Sequence, residues 1–139
     1  MNEKGLITLT SQFSLEKTMN YIETLLKKEG FHIFTIIDHS INAKKHGRNL
    51  NPTQLIIFGN PKTGGTGLMQ ENQTIGIDLP AKILVWSDNK GTTHITYNDM
   101  QWIANRHYLT DKNRDAINEL NKKISEICTK VSQYITENQ

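Results

Sequence analysis

Apolar and polar positions alternate from Ile7 to Gln12, with Ile7, Leu9 and Ser11 on one side and Thr8, Thr10 and Gln12 on the other, which predicts a half-buried strand. The period then changes. Leu15, Met19, Ile22, Leu25 and Leu26 recur at helical steps behind Ser14, a capping residue, and ahead of Gly30, so a helix of about four turns follows. Phe31 to Ile37 is β-branched and apolar on both faces and predicts an inner strand covered by that helix. Asp38, His39 and Ser40 come directly after it, and Ile41 to His46 with Gly47 behind them predict a short helix or turn.

Asn49 to Thr53 reads as a loop, Gln54 to Phe58 as a strand, and Gly59 to Gln70 as a long glycine-rich loop. Within that loop Thr66 is the expected cap of a short helix through Leu68, Met69 and Gln70, which puts Gly67 first in the helix and makes Gly67→Pro an expected stabilising change. Lys82 to Ser87 and Thr93 to Tyr97 form a hairpin around Asp88-Asn89-Lys90-Gly91. Asn98 or Asp99 caps a short helix through Trp102 to Arg106. Thr110 opens the last helix, whose apolar seam Ile117, Leu120, Ile124, Ile127, Val131 and Tyr134 steps by 3, 4, 3, 4, 3. That narrow seam fits either the chain's own sheet or a partner subunit.

This order predicts an α+β fold, a two-layer sandwich with a mostly antiparallel sheet and helices on one face. At 139 residues a single domain over 1–139 is expected, with a core at about 7–109 and a C-terminal helix at about 111–135.

Composition narrows the function classes. A net charge of +2, without a dense basic stripe interleaved with aromatics, argues against nucleic acid as a partner. Mean hydropathy of -0.54 and the lack of any run near the roughly 18 apolar residues of a spanning helix argue against the membrane. MNEKGLITLT does not read as a signal peptide, and the lone Cys128 fits a reducing compartment, so the cytoplasm is the expected location.

The leading site candidate is the glycine-rich loop. Four glycines between Gly59 and Gly67 give up backbone entropy without packing, which suggests unusual dihedrals or close backbone approach. Asn60, Lys62, Gly64, Gly65, Thr66 and Met69 are the candidate ligand-binding residues, for a small polar or anionic molecule met by backbone N–H groups and the Lys62 charge. The loop is a near miss to the phosphate-binding P-loop, because Gly65 stands where lysine is required. It also lacks the third glycine of a dinucleotide fingerprint. Asp38 beside His39 is the pairing used in acid–base work, so both are candidate catalytic residues; capping by Asp38 is the simpler reading. His39 and His46 are about 10 Å apart along one helix, and the other histidines lack ligand spacing, so no metal site is expected. Asn105-Arg106-His107 at a helix end is explained by the helix dipole.

IDHSINAKKHG (37–47), PTQLIIFGNPKTGGTGLMQ (52–70), GIDLPAKILVWSD (76–88) and ITYNDMQWIANRHYL (95–109) together resemble the bacterial and archaeal family catalogued as domain of unknown function 302. The resemblance covers about three quarters of the chain, from near Ile7 to Leu109. It implies a compact two-layer α+β fold, often dimeric, with no established activity and no known cofactor. The family's recurring positions carry over to Asp38 and His39, to Phe58, Gly59, Asn60 and Pro61, to Thr66, Leu68 and Met69, and to Asp78 with Pro80. Two departures fall in the loop: one additional residue between Lys62 and Thr66, and Gly67 where the family places proline.

Three functions follow as expectations. In the first, the loop and the Asp38-His39 turn meet at one end of the sheet and bind a small ligand. The second is an enzyme using His39 as acid or base, with Asn60 and Lys62 polarising the substrate. The third is a homodimeric interaction protein whose loop is only structural.

Overall fold

The computed structural model describes residues 4–62 and 64–134. The expected elements form. Strands β1 (Leu6–Ser11), β2 (His32–Asp38), β3 (Thr53–Gly59), β4 (Ala81–Ser87) and β5 (Thr93–Asn98) make one sheet in the order β1-β5-β4-β3-β2. Every neighbouring pair is antiparallel. Helices α1 (Leu15–Lys28), α2 (His39–Lys45), α3 (Thr66–Glu71), α4 (Met100–Arg106) and α5 (Asp111–Gln133) complete the chain, with a 3-10 helix at Gln73–Asp78 after α3. The expected end of the last helix at 135 lies outside the described residues.

Alternation along the strands decides which face is covered. Ile56 and Phe58 of β3, Ala81, Ile83 and Val85 of β4, and Ile95 and Tyr97 of β5 are all buried. They share a core with Met19, Ile22 and Leu26 of α1 and Ile103 of α4. The seam of α5 joins the same core: Ile117, Ile124, Ile127 and Val131 are buried, so the helix packs on its own sheet. Each such fully buried aliphatic side chain contributes about 1.5–3 kcal/mol relative to exposure.

Local caps follow the sequence closely. Ser14 accepts from the N–H of Lys17, Asp38 from Ile41 and Asp99 from Gln101. Asp88 accepts from the N–H groups of Lys90 and Thr92 and closes the β4–β5 turn, where Gly91 adopts φ +83°.

Two expectations are corrected. β2 lies at the edge of the sheet rather than inside it, and α1 covers it only in part: Phe34 and Ile36 are 51% and 39% exposed. Its register against β3 shifts between Ile33 and Thr35, a bulge that turns side chains outward. Gly65 rather than Thr66 is the N-cap of α3, so Thr66 is already helical and Gly67 is the second helical residue.

Candidate functional site

The glycine-rich loop is closed by its own bonds. Asn60 Oδ1 accepts from the N–H of Lys62 at 2.9 Å, and the Asn60 carbonyl accepts from Gly64 at 2.8 Å. Gly64 has φ +49°, a left-handed conformation that side chains disfavour. A Cβ on Gly65 would stand 2.6 Å from Leu79 Cδ1, so that glycine allows Leu79 to approach. Turn geometry and packing thus explain two glycines that the sequence suggested were cleared for a ligand. Met69 packs half-buried against the core, whereas Lys62 and Thr66 are exposed. Thr63 lies outside the described residues.

The expected meeting of this loop with Asp38 and His39 does not occur. Because β2 and β3 are antiparallel, Asp38 pairs with Gln54 and His32 with Gly59. The loop therefore leaves the far end of β3, five residues or about 17 Å from Asp38 at the rise of a strand. Only parallel pairing would have put both at one end. The Asp38 carboxylate is occupied as the cap of α2: it accepts from the Ser40 hydroxyl at 2.6 Å and from the Ile41 N–H at 2.9 Å. The Ser40 bond, ahead of the backbone bonds, holds its carboxyl below the usual range. His39 is exposed. Beside it, a shallow concavity of about 230 Å³ is lined by Ser40, Ile41, Lys44, Arg48, Asn49 and Leu50.

What the structure does assemble, at the loop's own end of the sheet, is a cluster around His107. Its Nε2 lies 2.5 Å from Asp78 Oδ2, and its Nδ1 lies 2.9 Å from Thr74 Oγ1. Asn72 Nδ2 donates to the His107 carbonyl at 2.7 Å. Arg106 Nη1 reaches both oxygens of Asp78, at 3.1 and 3.2 Å. Lys82 is also near Asp78; burial pushes its ammonium pKa down, and the Asp78 charge opposes that shift. His107 is buried, Asp78 half-buried and Thr74 exposed. Tyr108 follows His107 with φ +55°, and its side chain is 84% exposed; Ile77, preceding Asp78, is 75% exposed.

Local sequence does not signal this cluster: Asp78 stands out only through the family resemblance, and the helix dipole is enough to explain His107 at the end of α4. The pair is separated by 29 residues, so no local spacing joins them. A second pair, His94 Nε2 and Asp88 Oδ2 at 2.8 Å, sits at the β4–β5 turn, with the Trp86 ring 4.5 Å from the imidazole. Among the described residues no group of three or more His, Cys, Asp or Glu could hold a metal.

A five-stranded antiparallel sheet with helices packed on one face defines a small α+β domain. The chain belongs to the family described as Domain of unknown function DUF302, which matches residues 7–127. A crystal structure of an uncharacterized conserved DUF302 protein from Bacillus stearothermophilus shares the fold, with a TM-score of 0.80 over 91% of this chain and 98% of that one at 20% identity. Among curated relatives, Fluoride-specific ion channel FluC 1 of Brucella suis biovar 1 is 45% identical over 107 residues, 77% of this chain and 42% of that protein. Fluoride-specific ion channel FluC 2 of Brucella melitensis biotype 1 is likewise 45% identical over 107 residues, 39% of its length. The chain thus spans about two-fifths of the curated relatives it matches.

Proposed function

We propose that this chain is an interaction domain that works as a homodimer, with the β2 edge and the α2 arm as its contact surface. One observation carries the reading: β2 has the composition of an inner strand but occupies an edge. Phe34 and Ile36 on it, and Ile41 and Leu50 on the arm that follows, are between 39% and 53% exposed. Exposed apolar edges invite pairing unless a partner covers them, and a two-fold related copy would close the contact. Light scattering after gel filtration tests the proposal. A dimer that becomes monomeric in Phe34→Lys is expected, and a clean 15.9 kDa species at micromolar concentration rejects it.

The relatives extend the reading. Proteins named as fluoride channels carry a matching segment on about two-fifths of their length, which supports a role for this domain beside a membrane channel. Among the described residues no helix is long and apolar enough to cross a membrane. Buried Cys128, with no second cysteine in the chain, agrees with the cytoplasm as its location.

A second reading, a small anion held at the Gly59–Gln70 loop, is supported by the exposure of Lys62 and Thr66. Lys62→Ala then weakens binding of inorganic phosphate by about 1.5–3 kcal/mol, the worth of a hydrogen bond to a charged group. Unchanged binding by titration calorimetry rejects it.

A further inference from the structure

The three side chains Thr74, His107 and Asp78 are connected in the order of a base-activated hydroxyl. Thr74 Oγ1 is 2.9 Å from His107 Nδ1, and His107 Nε2 is 2.5 Å from Asp78 Oδ2. In the tautomer whose Nε2–H donates to the Asp78 carboxylate, the other ring nitrogen, Nδ1, presents its lone pair to the hydroxyl. We propose that these residues form a nucleophilic site for acyl transfer from esters, with Thr74 as nucleophile, His107 as general base and acid, and Asp78 as the residue that orients the ring.

Burial grades the cluster in the direction this chemistry needs. The orienting carboxylate is 15% exposed and the imidazole 6%, whereas Thr74 is exposed at the surface. Arg106 fixes Asp78 from the solvent side. Asn72 is itself fixed by donating to the His107 carbonyl, and its Oδ1 lies 2.9 Å from Thr74 Oγ1. The hydroxyl proton thus has two acceptors, and rotation toward Nδ1 delivers it to the base. Ile77 and Tyr108, the chain neighbours of Asp78 and His107, expose more of their surface than any other large apolar residue among those described. As chain neighbours of that pair they supply exposed apolar surface, which fits a short acyl or aryl ester.

In the reaction Oγ1 attacks the ester carbonyl carbon while its proton passes to Nδ1. The bond from that carbon to the leaving oxygen breaks, and the leaving alkoxide takes the proton from Nδ1. Water then attacks the threonyl ester and gives its proton to Nδ1; the bond from carbon to Oγ1 breaks, and Oγ1 recovers the proton. The net change is ester plus water to acid plus alcohol, independent of the oligomeric state proposed above.

The test is hydrolysis of p-nitrophenyl acetate and butyrate by the full chain, paired with peptide mapping after a fluorophosphonate probe. Saturable turnover is expected, falling by about 10²-fold or more in Thr74→Val and retained in Thr74→Ser. The probe should label the peptide containing Thr74 in the parent and not in Thr74→Val. Thr74 is exposed, and circular dichroism checks that Thr74→Val keeps the parental fold. Turnover at parental rate in Thr74→Val, or a folded parent with neither turnover nor label, overturns the proposal.

Discussion

The carboxylate of Glu71, at the end of α3, accepts from the backbone N–H of Thr110 at 2.5 Å and so caps α5 from a different element. Its other oxygen accepts from Asn113 Nδ2 at 2.7 Å, while Thr110 makes no side-chain cap of its own. The same device recurs at α4, where Asn121 of α5 accepts from the N–H of Met100 at 2.8 Å. Side chains distant in sequence thus satisfy orphan donors at helix starts.

Glu71→Ala is therefore expected to lower the melting temperature by a few degrees, and Glu71→Gln by less, because the amide oxygen still accepts. The pH dependence has a definite sign. Bonds from Asn113 first, and from Thr110, hold the Glu71 carboxyl below its usual value, so the unfolded chain binds more protons in acid. Its contribution is complete above the unfolded pKa of about 4.3 and is lost as pH falls through the folded value. Asp88, lowered chiefly by His94, and Asp38 act in the same direction. Thermal melts between pH 7 and 3 should show stability falling with acid, with a shallower fall in Glu71→Gln. Identical slopes for parent and variant would contradict this.

Gly67 separates two positions that the loop sequence leaves ambiguous. As second residue of α3 it follows a helical Thr66, and proline disfavours the helical region for the residue before it. Gly67→Pro should therefore destabilise by about 1–3 kcal/mol, the cost of a strained backbone, where the sequence alone predicts a gain. Gly67→Ala should stabilise by about 0.4–1 kcal/mol, because a Cβ there meets only Asn113 Oδ1, at 3.7 Å. Chemical denaturation of both variants decides the matter. A stabilising proline would place Gly67 back in the first helical position.

Local pattern made most of the fold legible. The alternation in β1, the Ser14 cap, the β4–β5 turn at Gly91 and the seam of α5 from Ile117 to Val131 are all set within a few residues and form as read, whereas Tyr134, the last seam position, falls past the helix and is 43% exposed. Information that depends on pairing was not available in the same way. Phe31 to Ile37 reads as an inner strand because composition reports apolar faces, whereas position in the sheet depends on which strands neighbour it. The direction of β2 against β3 decides which loops share an end, and nothing between Asp38 and Gln54 signals it. His107 and Asp78 meet because the 3-10 helix folds back on the end of α4, a tertiary event without a local signature.

Cys128 is wholly buried in the core, and burial pushes its thiol far above the usual range. The thiolate is the reactive form, so the native protein should react with a thiol reagent such as DTNB far more slowly than the denatured chain at pH 8. Rapid stoichiometric reaction of the folded protein would mean that α5 opens readily from the sheet.

The network around His107 also fastens the segment between β3 and β4 to the junction of α4 and α5, and a double-mutant cycle can measure that coupling. Asp78→Asn keeps the shape but removes the charge that Arg106 and His107 share, and an amide turned the wrong way leaves the buried ring without an acceptor. A buried donor left unsatisfied costs about 1–3 kcal/mol, and Asp78→Asn is expected to lose that much. His107→Gln removes the ring and loses a similar amount. The two changes act on one bond, so the double variant should lose less than the sum, with a coupling of about 0.5–3 kcal/mol. Thr74→Val on the Asp78→Asn background separates the two ends of the imidazole: if the ring is positioned by Asp78, the stability effect of removing the hydroxyl shrinks once the carboxylate is gone. Strict additivity in urea denaturation, for both cycles, would show that Asp78 and Thr74 hold their elements independently and that the ring transmits nothing between them.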